Sequence, residues 1–131
     1  ALADSEYAGR LLFTLAQITG YLNQVSASLE VMNNQVCGAP LTYLKQQFKR
    51  HYVEIIQPYM ARLNTSAYQI LPLISQLSEE SAPLPPTLQV FIEQFSFSVP
   101  GSVWRQYQQA SQRHAKAWSE LFTRCSVSLN R

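Results

Sequence analysis

The sequence predicts an all-α fold, a single-domain bundle of three long helices and one short one. Three observations predict it. Apolar residues recur at three- and four-residue steps through most of the chain. Pro40, the prolines at 83, 85 and 86, and Pro100-Gly101 cut that pattern into segments. The only alternating stretch, Phe95 to Val99, is too short to supply a sheet. With 131 residues, 47% hydrophobic and 14% charged, one core is expected and two domains are not.

The first helix is expected over about residues 5 to 37. Leu11, Leu15, Ile18, Leu22, Val25, Leu29, Met32 and Val36 form one apolar seam along it. Gly38 suits its end, because glycine accepts positive φ at low cost, and Pro40 suits the first turn of the next helix. That second helix is expected from Pro40 to about Ser78. Its seam reads Leu41, Leu44, Phe48, Tyr52, Ile55, Tyr59, Leu63, Ala67, Ile70, Ile74 and Leu77. Pro58 and Pro72 fall inside it, so kinks or a break are expected, with Asn64-Thr65-Ser66 as a restart point. Those three residues also match an N-glycosylation acceptor, but in a helical context from which no modification is inferred.

Ser78 to Pro86 reads as a loop. Leu88, Phe91, Ile92 and Phe95 make the short helix. From Ser102, the series Trp104, Tyr107, Ser111, His114, Trp118, Leu121 and Cys125 marks a last long helix to about Ser128.

Parity does not decide whether Cys37 and Cys125 are two buried thiols or one disulfide; the disulfide is the expectation carried forward. Both cysteines stand near the C-terminal ends of their helices. A bond between them therefore requires the first and last long helices to run parallel, with residues 79 to 101 crossing over at the far end. Counting eleven residues back from Cys125 and eleven on from Pro40 then places His114 and His51 at similar depth on neighbouring helices.

Ten basic against eight acidic residues give a net charge of +2, which argues against a nucleic-acid partner. Apolar runs no longer than three residues argue against a membrane span. The first residues carry neither an initiator Met nor a basic and apolar leader, as in a mature chain whose signal peptide has been removed; a trimmed chain would look the same. With the disulfide, this gives an extracytoplasmic location, periplasmic or secreted, as the expectation.

Catalytic equipment is sparse. Asp4 is the only aspartate, Glu30, Glu54, Glu93 and Glu120 are scattered one per helix, and no glycine-rich phosphate loop is present. The expectation is a protein without enzymatic activity, without a cofactor or metal, acting as a binding or accessory protein for another protein, such as a periplasmic adaptor or a toxin-neutralising protein. Its partner surface is placed in the apolar segment Leu84 to Trp104, on Phe91, Phe95, Phe97, Val99, Trp104 and the neighbouring Arg105. A lid that plugs the end of the bundle would use the same composition. Lys45, Lys49, Arg50 and Arg62, with Arg105, Arg113, Lys116 and Arg124, mark helix faces suited to phosphate or an acidic partner. The alternative reading is a carrier of haem, a metal or a small apolar ligand, with His51 and His114 as cofactor-binding imidazoles.

Overall fold

The computed structural model describes residues 2–32, 36–80, 85–96 and 98–129. Its helices are α1 (Leu2–Glu30), α2 (Ala39–Gln47), a π-helical segment (Phe48–Ile56), α3 (Gln57–Glu80), α4 (Pro86–Glu93) and α5 (Val103–Leu129). α2, the π segment and α3 form one continuous rod. There are thus three long rods and a short helix, and no strand among the described residues.

α1 stops at Glu30, short of the expected residue 37. The Met32 N–H closes a tight turn onto the Leu29 carbonyl at 3.2 Å. Met32's own carbonyl, which would accept the next helical bond, instead accepts one from Arg124 Nη2 at 3.2 Å. Gly38 takes a φ of 91° and its carbonyl accepts the Thr42 N–H at 3.0 Å, starting α2 with Pro40 in the first turn.

Neither Pro58 nor Asn64-Thr65-Ser66 interrupts the middle rod. Pro58 has no N–H, and its ring crowds the carbonyl four residues back, at Glu54. The chain answers upstream, where the bonding pattern widens and the Gln57 N–H donates to Tyr52, five residues before it. Widening shifts the phase of the rod. Inward positions step by four, through Leu44, Phe48, Tyr52, Ile56 and Met60, so the expected seam residues Ile55 and Tyr59 face outward, 58% and 39% exposed. Pro72 lies within the helical span of α3.

Contacts along α5 give the topology. Arg113 meets Asn23 and Glu30, Arg124 meets Met32, and Cys125 is bonded to Cys37, so α1 and α5 advance together and run parallel. Against the middle rod the order reverses: Trp118 meets Phe48, His114 meets Tyr52 and Trp104 meets Tyr68. The Cys37–Cys125 disulfide has its Cα atoms 5.3 Å apart and ties the C-terminal part of α5 to the connection between α1 and α2, so Cys37 lies beyond the end of α1 and not within it as expected.

The interior has two apolar cores. One joins Leu11, Leu15 and Leu22 of α1, Met60, Leu63 and Ala67 of α3, Phe95, and Trp104 and Tyr107 of α5. The other lies at the disulfide end and joins Leu29, Leu41, Ala117, Trp118, Leu121 and Cys125. Between them, on α1 and α5, stand two polar residues with almost no exposure, Ser26 and His114.

Candidate functional site

The segment expected to present a partner surface is largely interior. Phe95 and Trp104 are each 2% exposed, and Phe91 and Ile92 pack on the first core. Val99 and Arg105 are half-buried, Val90 is exposed, and Phe97 lies outside the described residues. The local hydrogen bonds explain this placement. The first N–H groups of α5 have no helical partners, and Gln94 supplies two: its side-chain oxygen accepts from Val103 at 3.2 Å and its carbonyl from Trp104 at 3.0 Å. Ser102 Oγ accepts the Arg105 N–H at 3.2 Å as an N-cap and donates to the Ser96 carbonyl. The end of α4 is thereby clamped to the start of α5, and the segment plugs the bundle. A surface built on Phe95 and Trp104 is corrected accordingly, because neither side chain reaches solvent.

The two imidazoles lie at matching depth but do not face each other. His51 is exposed and its Nε2 bonds Gln47 Oε1 at 2.9 Å, while the neighbouring Tyr52 turns inward, its ring 4.4 Å from that of the buried His114. Trp118 Nε1–H donates to His114 Nε2 at 3.0 Å. That bond occupies the Nε2 lone pair and puts the ring proton on Nδ1, so His114 offers no lone pair for a haem iron or other metal. The residues do not fit a bis-imidazole site. Among the described residues, no three His, Cys, Asp or Glu side chains gather as a metal site.

Burial alone lowers the His114 pKa to about 4, so the ring is neutral at neutral pH. Its Nδ1 and the Tyr107 hydroxyl are buried without a hydrogen-bond partner. Burial is also the main cause that pushes Tyr107 up to about 12. The folded state thus resists protonating His114, whereas the unfolded chain takes up the proton near 6.5. Stability is full above pH 6.5 and is lost as pH falls toward 4. Urea unfolding at pH 7 and pH 4 should show about 3 kcal/mol of loss from this residue, absent in His114→Gln; equal losses in both proteins would refute the assignment.

α1 packs along α5 and, at the far end, on α3, but makes no comparable packing on α2. The opening this leaves is a groove of about 500 Å³. Val25, Leu29 and Met32 of α1 form one wall with Gln24 and Ser28, Leu44 of α2 forms the other, and Trp118 lies at the base. Trp118 is held from below by His114 and flanked by Phe48 and Phe122, with ring centroids 4.6 and 5.4 Å away. Behind the groove, Arg113 fixes the α1–α5 register through Glu30, with Nη2–Oε1 2.6 Å and Nε–Oε2 2.9 Å, and through Asn23. That fork is the main cause holding the Glu30 carboxyl below its usual range. Lys45 Nζ sits over the Phe122 ring at 5.4 Å; Lys49 and Arg50 are exposed and line a separate pocket with Gln46, Gln47 and Glu54. Sequence reasoning assigned Val25, Leu29, Met32, Leu44 and Trp118 to seams and missed the groove; the one visible signal was the Trp118–His114 spacing of four on a helix.

No helix among the described residues is long and apolar enough to cross a membrane. No curated protein and no solved structure matches the chain. One family model does match, over residues 1–129. The chain therefore belongs to the DUF3080 family, described as a protein of unknown function.

Proposed function

We propose that this protein is a non-enzymatic, extracytoplasmic binding protein that receives an acidic amphipathic segment of a partner protein in the groove between α1 and α2. The groove carries the reading. Its α1 wall, Val25, Leu29 and Met32, steps by four and three residues, the spacing into which the apolar anchors of a partner helix interdigitate. Its other wall, at Leu44, is followed directly by the exposed Lys45, while Lys49 and Arg50 line a separate pocket with Glu54, the only acid between residues 31 and 78. Glu30, the acid on α1 nearest the groove, is already held by Arg113. A carboxylate on an incoming segment at the α2 wall would meet Lys45, and a basic segment would be repelled there. The disulfide supports an oxidising compartment. The non-enzymatic reading is supported by the site's chemistry, since its one buried imidazole is engaged with an indole and not with a nucleophile or an acid.

Two synthetic helical peptides test this, sharing one apolar face and carrying either Glu or Lys on the other. The Glu peptide is expected to bind at least tenfold more tightly at low salt, with the preference shrinking as salt rises and lost in Lys45→Glu. Equal binding of the two peptides would overturn the acidic partner. Saturation by lauric acid with neither peptide binding would replace it with a carrier of a small apolar ligand.

A further inference from the structure

We propose that His114 is an acid-sensitive latch on the groove: protonating its imidazole frees Trp118 from the base of the groove and weakens the hold on the bound segment. The inference rests on the binding reading above and adds to it a means of release.

Chemistry at one atom carries the argument. His114 Nε2 accepts the indole N–H of Trp118 at 3.0 Å. A protonated imidazole has N–H groups at both nitrogens and no acceptor. After protonation two N–H donors would face each other across that distance, and one ring must move. His114 is 1% exposed and stands between the two apolar cores, so a cation there has no water to solvate it.

Among the described residues, the surroundings offer no compensating charge. The middle rod sets Tyr52 against the imidazole. Tyr52 is a neutral phenol that burial, the leading cause, pushes above its usual range. α1 sets Ser26 at this level of the bundle, with its hydroxyl already donated to the Leu22 carbonyl at 2.7 Å. On α5 itself, the Arg113 guanidinium is engaged at the surface with Glu30 and Asn23. Among the described residues no charged group is placed against the ring, and burial is the cause that lowers its pKa.

Of the two rings in the bond, Trp118, 7% exposed, is the one with open space on one side. It borders the open groove, whereas His114 is enclosed. Displacing Trp118 also disturbs its contact with Phe48 at 4.6 Å and so the seating of the α2 wall. Acid release thus acts on the same surface that the partner would occupy.

The test is a pH titration of the oxidised protein by NMR, following the His114 Cε1–H and the Trp118 indole N–H resonances, alongside affinity for the Glu peptide. The expected result is one common midpoint for the two resonances. In His114→Gln, which keeps an acceptor for Trp118 but does not titrate, the Trp118 transition should vanish. The ratio of wild-type to His114→Gln affinity, which cancels titration of the peptide itself, should fall at least tenfold across the same range. If His114 titrates in the wild type while Trp118 stays still, the latch is overturned, and this reading needs no variant to fold. An unchanged Trp118 midpoint in His114→Gln overturns it equally. If the two resonances move together but the Glu peptide never binds, the groove reading fails, and with it the release.

Discussion

Reduction of the Cys37–Cys125 bond is expected to lower stability by about 4 to 5 kcal/mol, the largest single effect available in this fold. The bond closes a loop of sequence separation 88, and in the chain-entropy account the unfolded chain regains that much freedom when it opens. The native state loses a tie as well, because the bond is the covalent end of the parallel α1–α5 pair. What remains there is the second apolar core around Leu29, Trp118 and Leu121, with the Arg124–Met32 bond and the exposed Arg113–Glu30 fork, and exposed ion pairs contribute little. Domains of this size have total stabilities of roughly 5 to 15 kcal/mol, so the reduced protein should sit near the edge of folding. Urea unfolding with and without reductant measures the effect. A steeper denaturant dependence on reduction would show the larger surface exposed by the unlinked chain; a loss below about 1 kcal/mol would mean that the bond closes a loop already closed by packing.

Trp104→Ala should cost about 4 kcal/mol, typical of removing a large buried aromatic ring from a core. Trp104 is 2% exposed and packs in the first core beside Tyr107, with Tyr68 against its edge. The comparison variant is Val90→Ala, at an exposed position of α4, where a change within about 0.5 kcal/mol is expected. The pair separates a plug from a docking surface. A plug loses stability with Trp104 and little with Val90. A docking surface would leave both variants near wild-type stability and change only binding. Differential scanning calorimetry on the two proteins decides between these outcomes.

Much of the fold was legible in the sequence, for identifiable reasons. Steps of three and four residues are a direct imprint of helical geometry, so the three long rods and the short helix follow from Leu11 to Leu29, Leu41 to Ile74, and Trp104 to Cys125. The parallel pairing of α1 and α5 follows once Cys37 and Cys125 are joined, since Cys37 comes after the end of α1 and Cys125 is near the end of α5. The phase of the middle rod was not legible. Counting at helical spacing puts Ile55 and Tyr59 inside, but the widened turns before Pro58 insert extra residues per turn and bring Ile56 and Met60 inward. The same widening bears on the histidine register: the count arrives at the level of His114, yet Tyr52 and not His51 turns toward it.

The candidate site was less legible still. Composition shows that residues 84 to 104 are apolar but not which way they face, and the clamp made by Gln94 and Ser102 is a matter of hydrogen bonds formed only after folding. A groove is harder to read because it is a missing neighbour. Val25 and Met32 look like the rest of their seam, and only the separation of α1 from α2 leaves them unpacked on one side. His114 is a polar residue in an apolar series; its burial, its tautomer and its indole donor together make it informative.

The most direct test of the account is a methyl and indole NMR shift map of the oxidised protein during titration with the Glu peptide. The account predicts saturable shifts concentrated on Val25, Leu29, Met32, Leu44 and the Trp118 indole, with Val90, Val99 and Ile92 unmoved. Shifts concentrated on the α4 side of the bundle, or none at all at saturating peptide, would contradict it.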